Sequence, residues 1–456
     1  MALLTLALLA MAHPAFAVLL VTGPIAVAAF HAWEFLVPPV AWTVFAVAGS
    51  VLDRSPLPGV PVRPAAEPHL ARLVTEIAEQ LDIHRPLAVR LVPTVDAAVY
   101  DQKLRGQPAS VIVLGWPLVK HLSASELRVI VAHELAHREH LDDRVVARLL
   151  AARAQLADTP PRGPRRWRTA LLRATRQISY NQELASDAAA ARVAGSAAVA
   201  SALVHVERLG AAYELLASTW VDVLAEQDRW PEDLYPAMSE ALLDPWVGRR
   251  VDAMLAHLPP HDVEATHPTT QERLAALGAV PTADLGGPLS LREPEELEHL
   301  VTELLAEPDE SPARVMEMKP DALTDELSSR ELLDEIVELT GAQGRADALV
   351  AVHALVRDRS WTGFAESLEP SLGDASPEDR PVAERMVMAG ALSRLLVFQL
   401  RLADWQRASR WVRSPLVRPD GSTVDVRDVI DAALVSGDCS KLDDLVAQAQ
   451  AEQVQP

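Results

Sequence analysis

The spacing of apolar residues along the chain predicts a mainly helical protein with a small amount of strand. Residues 69–82 have apolar side chains three and four positions apart, the pattern of an amphipathic helix. These apolar residues are Leu70, Leu73, Val74, Ile77 and Leu81. Two short runs, Leu87 to Val92 and Val111 to Leu114, are rich in branched apolar residues and are typical of strands.

A strong helix start follows the second run. Ser123 and Glu126 have the spacing of a capping box, and the apolar segment LRVIVAHELAH comes directly after them. We expect this helix to reach about residue 155. Helical patterns resume near Thr169 and continue with short breaks to about Leu277, and the acidic remainder, to Pro456, is mostly helical in pattern.

The first 52 residues are typical of a membrane segment. Between residues 2 and 52 the one ionisable carboxylate is Glu34, and Lys and Arg are absent. A spanning helix needs roughly 20 apolar residues, so this stretch has room for two. A turn at Thr22-Gly23-Pro24 would give two spans of similar length. The alternative position for the turn is the cluster around His31, Glu34 and Pro38. Residues 1–54 are therefore interpreted as a transmembrane hairpin.

A cleaved secretory signal is the alternative interpretation of the N-terminus. Ala15-Phe16-Ala17 would be its cleavage site, but the basic residues that normally precede the apolar region are missing. A hairpin leaves the rest of the chain on the side of the N-terminus. Arg54 and Arg63 follow it, which favours the cytoplasmic face of a bacterial cell membrane.

Proline-rich segments suggest the domain boundaries. Residues 55–68 form one predicted linker and residues 281–295 a second. They separate a central domain, residues 66–280, from an acidic helical domain, residues 296–456, which is a possible binding site for a protein partner.

Composition argues against a nucleic-acid partner and excludes two cysteine-based features. Acidic residues number 63 against 42 basic ones, a formal net charge of -21, so we expect no nucleic-acid partner. The single cysteine, Cys439, excludes an intramolecular disulfide and a cysteine-based zinc finger.

The segment His133-Glu134-Leu135-Ala136-His137 carries the strongest chemical signal. Side chains four residues apart lie on one face of a helix, so the two imidazoles can bind one metal ion. Glu134 follows the first histidine and is placed to accept a proton from an attacking water. We predict one Zn²⁺ per chain, with His133 and His137 as ligands and Glu134 as general base.

A third ligand is expected from Asn181-Gln182-Glu183-Leu184-Ala185-Ser186-Asp187. Glu183 and Asp187 are again four residues apart on a predicted helix. Glu183 would bind the metal, and Asp187 would hydrogen-bond a histidine ligand. Glu207 and Glu214 are alternatives for the third ligand, but they lack this pairing.

These motifs resemble the gluzincin metallopeptidases of the HtpX and CaaX-prenyl-protease type, over about residues 66–280. The strand-like segment SVIVLG, residues 110–115, and Thr266-His267-Pro268 with Arg273 downstream add to the resemblance. The resemblance implies that His267 contacts the substrate or the developing oxyanion and that Arg273 braces the site. It also implies that an extended peptide binds alongside the strand near residues 110–115.

The chain departs from that family in two places. Where the family has an Asn-Ala-Phe-like segment on the strand side of the cleft, this chain has residues 95–100, with Asp96 in the place of the asparagine. No further hydrophobic span lies between His137 and Glu183. The beta-lactam-sensor metallopeptidases, which carry a similar pair of motifs, are the other family that the chain resembles.

The predicted fold is mainly α, of the α+β type: a zincin-like catalytic domain with a small sheet, the N-terminal hairpin and a C-terminal helical region. The predicted function is zinc-dependent hydrolysis of peptide bonds in unfolded or flexible proteins by a membrane-tethered endopeptidase. Two alternatives stay open: a sensor that cleaves one regulatory partner, and a non-enzymatic membrane scaffold with a vestigial zinc site.

Overall fold

The structure is a computed structural model in which side chains and backbone are described for most of the chain after residue 56. The predicted transmembrane hairpin and the predicted end of the helix near residue 155 lie outside the described residues. The described residues are 57–104, 107–140, 165–221, 224, 229–231, 233–256, 268–282, 285–305, 314–316, 322–374 and 380–451.

The described part of the chain is mainly helical and carries small sheets, as the sequence predicts. Among these residues, no helix has both the length and the apolar character needed to cross a bilayer. The helices are α1 (Pro68–Gln80), α2 (Trp116–His121), α3 (Ala124–His140), α4 (Arg165–Ala194), α5 (Ser196–Leu216), α6 (Leu234–Leu242), α7 (Pro245–Ala256), α8 (Thr270–Leu277), α9 (Pro294–Glu303), α10 (Ala322–Thr340), α11 (Arg345–Arg357), α12 (Thr362–Leu368), α13 (Arg380–Leu402), α14 (Val426–Ser436) and α15 (Ser440–Ala451). The strands are β1 (Val60–Val62), β2 (Leu87–Val92), β3 (Ala97–Leu104), β4 (Gln107–Gly115), β5 (Arg229–Pro231), β6 (Arg314–Met316), β7 (Gln406–Arg407), β8 (Pro415–Val417) and β9 (Thr423–Asp425).

The chain divides into two compact units. The first contains residues 1–210 and 260–307, and the second contains residues 211–259 and 308–456. The domain boundaries that the sequence suggests stay predictions.

The first unit contains a four-stranded sheet in the order β1-β2-β4-β3. β2 and β4 run parallel, and β1 and β3 pair antiparallel with them at the two sides. β4 is buried because it lies between two strands and under helices; Val111, Ile112, Val113 and Leu114 are all at most 3% exposed. Its apolar run without alternation is typical of such a strand.

Helices α1 and α3 pack in the same unit. The predicted apolar stripe of α1 is buried, with Leu70 and Ile77 at 0% exposure. Full burial of such a side chain contributes about 1.5–3 kcal/mol, so the stripe holds α1 on the unit even though its N-cap residue, Glu67, makes no side-chain cap.

The predicted capping box at the start of α3 is confirmed. The backbone N–H of Glu126 donates to Ser123 Oγ at 3.1 Å, and the backbone N–H of Ser123 donates to the Glu126 carboxylate at 2.9 Å. Both side chains are buried, so these bonds satisfy amides that water does not reach.

The segment that the sequence suggests as a second linker makes specific contacts within the first unit. The buried carboxylate of Glu67 accepts hydrogen bonds from the backbone N–H groups of Arg292 and Glu293, at 2.8–3.1 Å. Ser123 and Pro288 form an isolated β-bridge. These bonds attach residues 288–293 to the starts of α1 and α3.

The second unit has its own apolar core, formed mainly by helices. α13 lies at its centre and packs against α10, α11, α14 and α15. The predicted helical spacing in residues 332–337 is confirmed, since Leu333 and Ile336 are fully buried on α10. A three-stranded sheet, β7-β8-β9, which the sequence pattern does not predict, lies in this unit.

Candidate metal centre

Two histidines of α3 point their Nε2 atoms at each other. The Nε2 atoms of His133 and His137 are 2.9 Å apart, and the rings meet edge to face. Their spacing of four residues places both on one side of the helix, and the capping box fixes where that helix begins.

Glu183 of α4 reaches the same point. Its carboxylate oxygens lie 3.2 Å from His137 Nε2 and 3.5 Å from His133 Nε2, and its side chain is only 4% exposed. α3 and α4 pack against each other along much of their length. This packing brings Glu183 beside His137 and His133, although 46 and 50 positions separate it from them in the chain. This is the one group of three metal-ligand side chains found among the described residues, and neither Glu207 nor Glu214 belongs to it.

The donor set fits a zinc ion. Imidazole nitrogens and a carboxylate oxygen are preferred zinc ligands, and two histidines with one glutamate form a catalytic type of site that leaves one position open. Bonds of 2.0–2.2 Å at tetrahedral angles require ligand atoms about 3.3–3.6 Å apart. The observed separations, 2.9–3.5 Å, are close to that range.

Asp187 and Arg273 brace the group from behind. Asp187 Oδ1 lies 3.0 Å from His133 Nδ1, on the side of the ring away from Glu183. Arg273 of α8 donates to both oxygens of Asp187, from Nε at 2.8 Å and from Nη2 at 2.6 Å. The pair fixes the orientation of the His133 ring, so that Nε2 faces the centre of the group.

The electrostatics of the group favour a protonated His133 when no metal is bound. Burial lowers the pKa of His133, but the hydrogen bonds with Asp187 and Glu183 outweigh burial and bring this pKa to about 9. Burial raises the pKa of Asp187, and the opposing effect of Arg273 and His133 is larger, so the pKa of Asp187 is below its usual range. A cation at this point is therefore stabilised by the surrounding carboxylates.

Glu134 lies next to the group without belonging to it. Burial raises its pKa, the charges of Glu183 and Asp96 raise it further, and the two histidines oppose them. The net shift is upward. A carboxylate whose pKa lies closer to neutrality is a better proton acceptor and donor at physiological pH.

β3 is the strand at the edge of the sheet on the side of the metal group. It pairs with β4 on one side and packs against α3. The expectation that a peptide binds alongside residues 110–115 is wrong, because β4 has β2 and β3 as neighbours and presents no free edge. Within the described sheet, β3 is the edge strand next to α3, so its unpaired backbone groups can pair with an added strand.

Sequence reasoning assigned no role to Tyr100 of β3. Its side chain is 41% exposed. Burial, Asp96 and Glu134 all raise its pKa, so its hydroxyl lies within electrostatic range of both acids. Apolar and polar side chains do not alternate clearly between positions 97 and 104, so the sequence pattern did not indicate this strand.

The structure places Asp187 and Arg273 together, a pairing that the sequence analysis did not predict. Arg273 is near the start of α8, whose own capping box joins Thr269 and Glu272. His267 lies outside the described residues, and its role as a contact to the substrate stays a prediction.

The site combines two histidines four residues apart on one helix, a glutamate from a second helix and a free strand edge nearby. This is the arrangement of a metallopeptidase. Residues 64–280 match the family model of Peptidase family M48. No significant match was found among curated proteins or among solved structures. The family match supports a metallopeptidase function and covers all residues of the metal group.

Proposed function

We propose that the protein is a zinc-dependent endopeptidase that hydrolyses peptide bonds in unfolded or flexible proteins. The observation that carries the proposal is the convergence of His133 Nε2, His137 Nε2 and the Glu183 carboxylate within 3.5 Å of one another. When bound, zinc supplies a Lewis acid that polarises a carbonyl and activates a water.

Glu134 is the proposed general base. It follows His133 directly and lies beside the donor group without contributing to it. It would take the proton of the attacking water and pass it to the leaving amine.

Asp187 and Arg273 are proposed as positioning residues. Asp187 accepts a hydrogen bond from Nδ1–H of His133, so the Nε2 lone pair of that ring would be directed at the metal. Arg273 keeps Asp187 ionised and in place through two hydrogen bonds. His267 remains the proposed donor to the oxyanion.

We propose that the substrate binds in an extended conformation along the free edge of β3. An added strand gains main-chain hydrogen bonds that do not depend on sequence. Only a segment that is unfolded or flexible can present those groups, which is why such chains would be the substrates.

We also propose that residues 2–52 attach the protein to a bacterial cell membrane, with the catalytic segment on the cytoplasmic side. Their apolar composition and the arginines at positions 54 and 63 support this arrangement. The acidic helical region at the C-terminus, residues 296–456, is proposed to bind a protein partner.

Cleavage of casein by purified full-length protein, in detergent and with zinc supplied, tests the proposed reaction. Glu134→Gln should lower kcat by at least about 100-fold, the range of one general base, while the zinc content stays at one per chain. Glu79→Gln, which removes an exposed carboxylate from α1, is the matched control and should cleave at the wild-type rate.

Two outcomes would contradict the proposal in different ways. Wild-type cleavage rates in Glu134→Gln would remove Glu134 from the role of base. Failure of the zinc-loaded wild type to cleave casein, or any peptide derived from it, would contradict hydrolysis of unfolded chains.

A further inference from the structure

Helix α8 lies beside the metal group and has no buried side chain of its own. It runs from Thr270 to Leu277, and none of these eight residues, all of which the structure describes, is buried. A helix of a globular protein is normally held by an apolar stripe that faces the core. In α8, Leu274 and Leu277 are only partly covered, so polar contacts carry more of its attachment.

Arg273 makes the polar contacts between α8 and the metal group. Its Nε and Nη2 donate to the two oxygens of Asp187 on α4, at 2.8 and 2.6 Å. Its Nη2 also lies 3.4 Å from Nδ1 of His133, and its Nη1 lies 3.8 Å from the Glu183 carboxylate. One side chain of α8 therefore contacts two proposed metal ligands and the carboxylate that braces one of them.

The chain on either side of α8 is attached to the same unit. Pro268, two residues before the helix, is buried. After the helix, the backbone N–H of Thr282 donates to Ser201 Oγ at 2.7 Å, and this hydroxyl donates to the Thr282 carbonyl at 3.0 Å. Gly278 ends the helix with a φ of +60°, in the left-handed region that glycine adopts readily. A movement can therefore be confined to α8, between two fixed points.

We propose that α8, residues 270–277, is a latch that opens and closes as a unit, and that bound zinc holds it closed through Arg273, Asp187 and the His133 ring. The proposal rests on the proposed metal site. Closed α8 orients the ring that would bind the metal, so zinc affinity is higher when the latch is closed. Thermodynamic linkage then requires zinc to stabilise the closed latch by the same factor.

Arg273 has two opposite effects on a bound cation. Its charge repels the cation, whereas its two hydrogen bonds hold Asp187 in place for the His133 ring. The carboxylates of Asp187 and Glu183 both face the guanidinium and balance most of its charge. Loss of a supporting partner typically lowers metal affinity by about 10–100-fold. Because Arg273 acts through Asp187, we expect the lower end of this range, about tenfold.

Hydrogen exchange followed by mass spectrometry, on full-length protein in detergent, tests the latch. Exchange of the α8 amides should be about tenfold slower with bound zinc than after chelation. The slowing should level off once the site is saturated, because the protein with an open latch still binds zinc. Amides that exchange only through global unfolding should continue to slow as free zinc rises, because the unfolded chain lacks the site.

Variants of α8 then separate the link from the helix. In Arg273→Gln, zinc should no longer slow α8, and zinc affinity, measured with a competing chelator, should be about tenfold weaker. Gln271→Ala, at an exposed position of the same helix, is the matched control and should keep both wild-type values. Thr269→Ala removes the cap of α8 without touching the metal group. It should speed α8 exchange about fivefold, with zinc and without it.

The outcomes separate this proposal from the metal site on which it rests. Four results would overturn the latch and leave the metal site standing: equal α8 exchange with and without bound zinc, slowing that never levels off, a zinc effect that persists in Arg273→Gln, or unchanged α8 exchange in Thr269→Ala. Failure of the wild type to bind zinc would instead overturn the metal site, and the peptidase function with it.

Discussion

Asp187 accepts two hydrogen bonds from Arg273, from Nε at 2.8 Å and from Nη2 at 2.6 Å, although 86 residues separate them. The same carboxylate lies 3.0 Å from Nδ1 of His133. The ion pair therefore links α8 to the ring that faces the metal group. The charge of Arg273, together with His133, keeps Asp187 ionised at a buried position.

Removal of this support should weaken metal binding without removing a ligand. Asp187→Asn, which keeps the shape of the side chain, should lower zinc affinity by about 10–100-fold, the usual effect of such a partner. Competition with a chromogenic chelator measures it. The control is Glu214→Gln at an exposed position, which should bind zinc as the wild type does. Equal affinities in Asp187→Asn and the control would show that Asp187 does not orient His133.

Zinc binding should depend steeply on pH below about pH 9. The pKa of His133 is about 9 in the metal-free protein, and its usual value is about 6.5. Zinc binds the neutral ring, so apparent affinity should rise about tenfold per pH unit from pH 7 to pH 8, with about one proton released from this ring. Isothermal titration calorimetry in buffers of different ionisation enthalpy measures that proton. Affinity that does not change over this range would contradict the protonated state of His133.

The same shift has an opposite consequence for the metal-free protein. Its folded-state pKa is raised, so the stabilisation by protonated His133 is fully present below pH 6.5 and is lost as pH rises through about 9. Unfolding by urea without zinc should therefore show lower stability at pH 9 than at pH 6.5. Zinc should remove most of this dependence, because bound metal takes the place of the proton.

The capping box at the start of α3 should contribute measurably to local stability. Ser123→Ala removes the acceptor of the Glu126 N–H at a buried position, which should cost about 1 kcal/mol. Hydrogen exchange of the first turn of α3, followed by mass spectrometry, would be about fivefold faster. Ser367→Ala, at an exposed serine of α12, should change exchange in α3 by nothing measurable. Unchanged protection in Ser123→Ala would show that the cap does not limit opening of this helix.

Gly115→Ala should destabilise the first unit by about 1–3 kcal/mol, the range for an added group in a closely packed place. The added Cβ would meet the backbone of Thr94 and Asp96 and shift the start of β3. Gly210→Ala, in α5 with open space around it, should instead stabilise its helix by up to about 1 kcal/mol. Urea denaturation of both variants provides the comparison, and equal effects would contradict the close approach at residue 115.

The local features of the metal site follow from the sequence by itself. The spacing of His133 and His137 places both rings on one helix face, and Ser123 with Glu126 marks where that helix begins. Both depend on helical geometry and on residues at most four positions apart, so no tertiary information is needed. The apolar stripe of α1 and the strands β2 and β4 are predictable for the same reason.

The order of the strands was decided only by the tertiary structure. Residues 110–115 have the stronger apolar pattern and were expected to border the substrate, yet that pattern arises because β4 is covered on both edges and both faces. The described side chains of the edge strand, β3, are partly or fully exposed, and its composition is mixed, so its sequence carries a weaker signal.

The contacts between distant segments also needed the fold. The sequence proposes Glu183, Asp187 and Arg273 as partners of the site, but the distances of 2.6–3.5 Å that join them to each other and to the histidines exist only because α4 and α8 pack beside α3. Periodicity describes one helix or strand at a time, whereas the relative placement of helices and strands depends on the packing of side chains far apart in the chain.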